Sequence, residues 1–148
     1  MSLENTISDA IKDAMRAKDK VALDALRAVK SQILLVKTEA KDAEVSEEQE
    51  IAILQRMIKQ RRDSADQFAA QGRNDLAEVE EAQSKVIEKY LPQQLSAEEL
   101  ESAMKEIIAQ TGATSAKDLG KVMGLASKSL AGKSDGKSIS GMAKKLLS

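Results

Sequence analysis

A chain of 148 residues that is 42% hydrophobic has enough apolar side chains for a core, in one domain or two small ones. Cysteine and histidine are both absent, which excludes disulfides, thiolate metal sites, a Cys nucleophile and every Ser–His or Cys–His catalytic pair. The net charge of −1 conceals a division: Gly112 to Ser148 holds seven lysines against two aspartates, a net of +5, which leaves −6 on residues 1–111.

Aromatic residues make up 1% of the chain, Phe68 and Tyr90 alone, so any core is aliphatic. One proline and seven glycines in so charged a chain predict an all-α protein. The N-terminus is amphipathic and of mixed charge, unlike a targeting segment. The longest apolar run, Ile33 to Val36, is too short to cross a bilayer. A cytoplasmic protein with no membrane partner is the expectation.

In chain order, Ser2 caps a first helix with apolar residues every fourth position, Leu3, Ile7, Ile11 and Met15. Asp19 caps a second, longer helix through Ala25, Leu26, Val29, Ile33 and Val36, fading near Lys41. Ser46 and Gln49 stand at capping-box spacing, where hydroxyl and amide each satisfy the other's orphan backbone donor. The helix they open carries Leu54, Met57, Ile58, Ala65 and Phe68, and Gly72 offers a left-handed stop. A fourth helix runs from about Asn74 to Tyr90. Pro92 blocks its continuation, because the residue before a proline is pushed out of the helical region.

Ser96 with Glu99 is a second capping box, opening a helix with Leu100, Met104, Ile107 and Ile108 that ends at Gly112. Ser115 with Asp118 repeats the spacing ahead of Leu119, Val122, Met123, Ala126 and Leu130. Gly132 to Lys137 reads as a polar loop, and Ile139, Met142, Ala143, Leu146 and Leu147 form a last amphipathic helix. The expected architecture is an N-terminal bundle of about four helices over residues 1–92. A three-helix C-terminal subdomain over 96–148 follows, small enough to be marginal alone.

Gly132-Lys133-Ser134-Asp135-Gly136-Lys137-Ser138 superficially suggests a phosphate loop. The nucleotide pattern needs four residues before Gly-Lys-Ser and a preceding strand; here Ala131 stands where the glycine belongs and the context is helical. A helix-connecting loop is the better reading, with two lysines and free amides able to meet a phosphate. Gly120 and Gly124 lie four apart on one helix face. Close helix packing is favoured there over approach of the bare backbone to a ligand. In Lys59-Gln60-Arg61-Arg62-Asp63-Ser64, Lys59 and Arg62 each face an aspartate four residues on, as on a solvated surface. Arg61 faces Ala65 instead, which leaves it as a secondary contact residue. The carboxylates sit on helix faces rich in lysine and arginine, so no catalytic pair stands out.

Five stretches together resemble the GatB/YqeY family over nearly the whole chain. They are Lys59 to Ser64, Gly72-Arg73-Asn74-Asp75-Leu76, Tyr90-Leu91-Pro92-Gln93-Gln94-Leu95-Ser96, Lys117-Asp118-Leu119-Gly120-Lys121-Val122-Met123-Gly124 and Gly132 to Lys137. Alanine is common in the family where Ser134 stands. The resemblance is to the stand-alone YqeY type, similar in turn to the C-terminal tail of the B subunit of glutamine-dependent tRNA amidotransferase. It implies two all-helical parts and, for the terminal one, contact with the body of tRNA, while other domains of that enzyme perform the chemistry. The expected RNA-binding residues are Lys117, Lys121, Lys128, Lys133 and Lys137 with Gly120 and Gly124. No catalytic residue, cofactor or metal is expected. The alternative is an accessory, protein-binding module of an amidotransferase, under the family label of carbon–nitrogen ligase with glutamine as amido-N-donor.

Overall fold

The structure, a computed structural model, describes residues 2–41 and 44–148. Among these there are seven α-helices, one short 3-10 turn and no strand. The helices are α1 (Leu3–Ala17), α2 (Lys20–Glu39), α3 (Glu47–Ala70), α4 (Asn74–Glu88), α5 (Ala97–Thr111), α6 (Leu119–Ser129) and α7 (Gly136–Leu147), with the 3-10 turn at Ala116–Asp118. The chain divides into two compact units, Met1–Leu91 and Pro92–Ser148.

Capping residues set most of the helix ends. Ser2, Asp19, Ser46, Ser96 and Asp135 each accept a hydrogen bond from a backbone N–H of the following first turn. At Ser46–Gln49 and Ser96–Glu99 both halves of the capping box form. Gly72 (φ 76°) ends α3 in a Schellman arrangement, with the Arg73 amide donating to the Phe68 carbonyl at 2.8 Å. Lys18 performs the same left-handed stop after α1 without glycine, at φ 56°.

In the first unit α1 packs on α2, and α3 packs on α4, with α2 touching both members of the second pair. Ile7, Val29, Ile33, Leu54 and Ile87 are the large side chains sealed inside. Met15, expected on the buried stripe of α1, is 54% exposed, and Ala14 is buried in its place. A strict four-residue repeat advances about 40° per step around a helix of 3.6 residues per turn, so its fourth member has rotated off the core face.

In the second unit α5, α6 and α7 each touch the other two. They close over Leu100, Met104, Ile107, Val122, Ala126, Ile139 and Ala143. Two expectations change here. Ser115 and Asp118 form no helical capping box: the Ser115 hydroxyl accepts from the Lys117 amide at 3.4 Å, and Asp118 accepts from the Thr114 amide at 3.0 Å. The same four residues make a 3-10 turn instead, because short polar side chains serve such turns as readily as helix caps. The polar loop expected over Gly132–Lys137 is also shorter. Asp135 accepts from the Ser138 amide at 2.6 Å and starts α7 at Gly136, which puts Lys137 in the first helical turn.

Candidate nucleic-acid interface

The basic residues of the second unit are concentrated toward its C-terminal side, with Lys105 of α5 the one exception. Residues 92–111, mostly α5, carry −3, and residues 112–148 carry +5. Lys117 lies in the 3-10 turn, Lys121 and Lys128 on α6, Lys133 in the turn after α6, and Lys137 at the start of α7; all five are exposed.

The structure brings three of the candidates onto one helix face. At 100° per residue, Lys121, Gly124 and Lys128 fall within about 60° of arc, and the two lysines stand about 10.5 Å apart along the axis. Gly120 borders the same face. A Cβ built on Gly120 or Gly124 would meet nothing within 4 Å. Neither glycine is therefore required for close helix packing, the reading favoured from the sequence; that face of α6 is bare backbone open to its surroundings.

The last helix carries a similar face that the sequence reading passed over. Lys137, Gly141 and Lys144 are exposed on α7, the lysines again seven positions apart, and Gly141 has equally open space. The repeated seven-residue lysine interval with a glycine inside it was the signal available in the sequence.

Arg61 stands elsewhere, between α3 and α4. Its Nε donates to Gln83 Oε1 at 3.1 Å and its Nη1 to the Met57 carbonyl at 3.4 Å. The bond to Gln83 thus ties the two helices together, leaving Nη2 and the second Nη1 hydrogen for any further contact. Arg62 pairs with Glu88 of α4, not with Asp66 on its own helix. The groove beside it, about 360 Å³, is lined by Ala65, Asp66, Glu81, Ser84 and Lys85 and mixes both signs of charge. Among the described residues no group of three or more acidic, His or Cys side chains has metal-binding geometry. No described helix is long and apolar enough to cross a membrane.

A family model described as "Yqey-like protein" matches residues 4–147. Curated relatives share the name "Altered inheritance of mitochondria protein 41, mitochondrial". The protein of that name from Candida glabrata is 33% identical over 108 residues, covering 71% of this chain and 59% of the relative. Those from Meyerozyma guilliermondii and Clavispora lusitaniae are 38% and 36% identical over 92 and 91 residues, covering 59% and 61% of this chain. The matched regions take up 45% and 52% of those two relatives, so the chain spans about half the length of the proteins it matches. Their name states no ligand and no activity. It does place them in mitochondria, which overturns the cytoplasmic location expected from the sequence.

Proposed function

The chain belongs to the Yqey-like family, and from that premise we propose that it is a non-catalytic helical module that binds structured RNA, with tRNA the first candidate. The observation that carries this reading is the α6 face, where open backbone at Gly120 and Gly124 lies beside Lys121 and Lys128 with no bulky side chain between. A phosphate backbone needs positive charge and close approach, and this face offers both. Lys117, Lys133 and Lys137 extend the positive charge at either end of α6 and into α7. The similarity to the amidotransferase B-subunit tail, whose terminal helices touch the body of tRNA, supports the same reading. Residues 112–148 contain no aromatic side chain, so base stacking has nothing to stack on and recognition is of folded shape.

The test is tRNA binding across a salt series. Replacing Lys121, Lys133 and Lys137 together with alanine should weaken binding and lower the slope of log K against log salt by about 0.9 for each phosphate no longer neutralised. Circular dichroism should be unchanged, since all three side chains are solvated. A triple variant that binds as tightly as the wild type, or binding that resides wholly in residues 1–91, overturns the reading.

One observation favours a second function, docking onto a protein such as an amidotransferase subunit. Leu34 and Leu35 on α2 are 41% and 52% exposed, side by side on a helix of the acidic first unit. Capture of amidotransferase subunits that survives nuclease treatment and is abolished by changing both leucines to serine would favour this function over RNA binding.

A further inference from the structure

Two of the stretches that resemble the family meet within the second unit although they lie 38 residues apart in sequence. The Gln94 side-chain nitrogen donates to the Pro92 carbonyl at 2.8 Å and to the Gly132 carbonyl at 2.5 Å. An amide nitrogen carries two hydrogens, and both are used. One residue on, the Leu95 amide donates to the Lys133 carbonyl at 2.9 Å. The turn they hold is closed from within by the Lys133 amide donating to the Leu130 carbonyl at 3.0 Å, with Gly132 in the left-handed region at φ 77°. Leu95 also packs against the core of the unit. Two successive carbonyls of the turn are thereby held by two successive residues of the entering chain.

We infer that Gln94 is a positioning residue for the Lys133 turn: it fixes the backbone from which Lys133 projects and from which α7 departs. The inference rests on the RNA-binding reading for its consequence, and on the hydrogen-bond geometry for its mechanism. Lysine is a flexible point charge, so its contribution at a phosphate depends on where its backbone is held. A turn fixed only by its own i to i+3 bond frays; one whose carbonyls are also engaged from a second segment does not. Gln94 itself is exposed and stands outside the core, so its removal does not open a cavity.

The experiment uses the full chain with Gln94→Met, which keeps the side-chain length and removes the donor, with Lys133→Ala, and with the two combined. The probe is bulk tRNA at fixed salt. Gln94→Met should weaken binding about two- to tenfold, the range one hydrogen bond supplies. In the Lys133→Ala background it should weaken binding by a clearly smaller factor, because the nearest charge it positions is gone and only its hold on the start of α7 remains. An equal weakening in both backgrounds would mean Gln94 acts through general stability, and overturns the proposal. Amide hydrogen exchange supplies a readout independent of RNA. Gln94→Met should speed exchange at Lys133 and Ser134 while leaving the α5 interior unchanged; unchanged exchange at the turn overturns the proposal. If wild-type protein binds no tRNA, the functional reading falls, and the exchange result alone then decides whether Gln94 holds the turn.

Discussion

At Gly124 the demands of stability and of the proposed function oppose each other. Its helical backbone and the empty space around it mean that alanine fits without displacement. Glycine inside a helix costs about 0.5–1 kcal/mol relative to alanine, because it surrenders more backbone freedom. Gly124→Ala should therefore raise the unfolding free energy by about that amount while weakening tRNA binding, since a methyl group holds the α6 backbone off the RNA. Thermal unfolding and a binding titration on the same sample check both signs. A variant that is stabilised and binds undiminished would show that the bare backbone is not used. Gly112 makes the control: at φ 70° it ends α5, and alanine there costs about 1–2 kcal/mol despite equally open space. Sequence alone made the pair at 120 and 124 visible but not its meaning, because four-residue glycine spacing looks the same against a neighbouring helix as against open space. Arg61 was illegible for a similar reason: its partner Gln83 lies on the next helix, and only the packing of α3 on α4 brings them together.

Helix boundaries were the most legible part of the fold, since a cap is satisfied within four residues of sequence and needs no tertiary information. Ser46–Gln49 and Ser96–Glu99 illustrate this, whereas Ser115–Asp118 shows where it stops, the same spacing having closed a 3-10 turn. The strap from Gln94 to Gly132 had no local signal at all. The capping box of α5 carries its own prediction. The Ser96 backbone N–H, donating to Glu99, holds that carboxyl below the usual glutamate range, with the Ser96 hydroxyl contributing further. A depressed folded-state pKa contributes stability that is complete above the unfolded value, about 4.3, and is lost as pH falls through the folded one. Glu99→Gln keeps an acceptor without the charge, so the variant should differ from wild type at neutral pH and converge with it below about pH 4. Ser96→Ala removes the hydroxyl half and should cost about 1 kcal/mol at neutral pH and less once Glu99 is protonated, because the hydroxyl also favours the ionised carboxylate. Denaturant titrations at pH 7 and pH 3 decide: a Glu99→Gln difference that persists undiminished at pH 3 would refute the capping origin of the shift.

For the whole chain, the two units differ in both size and charge. Residues 1–91 carry −3 and own a core reaching from Ile7 to Ile87; residues 92–148 carry +2 and enclose a separate core around Met104, Val122 and Ala143. A small unit buries a smaller fraction of its surface, so the second, of 57 residues, is expected to be the less stable. Between the end of α4 at Glu88 and the start of α5 at Ala97 the backbone is non-helical, and Pro92 supplies no N–H to secure it. Protease should therefore cut first among residues 89–93. The turn at Gly132 and Lys133 should resist, despite its lysine, because its carbonyls are engaged by Gln94 and Leu95 and α7 begins only three residues later. Mass spectrometry of early digestion products should give two complementary helical fragments that meet within 89–93. Heating the intact chain should give two transitions, the lower one removing the amide protection of α5 to α7 while that of α1 to α4 persists. Bound tRNA should raise the lower transition alone, since a ligand stabilises only the unit that holds it. A single transition in which all seven helices lose protection together, or a first cut inside the Lys133 turn, would contradict this division of the molecule.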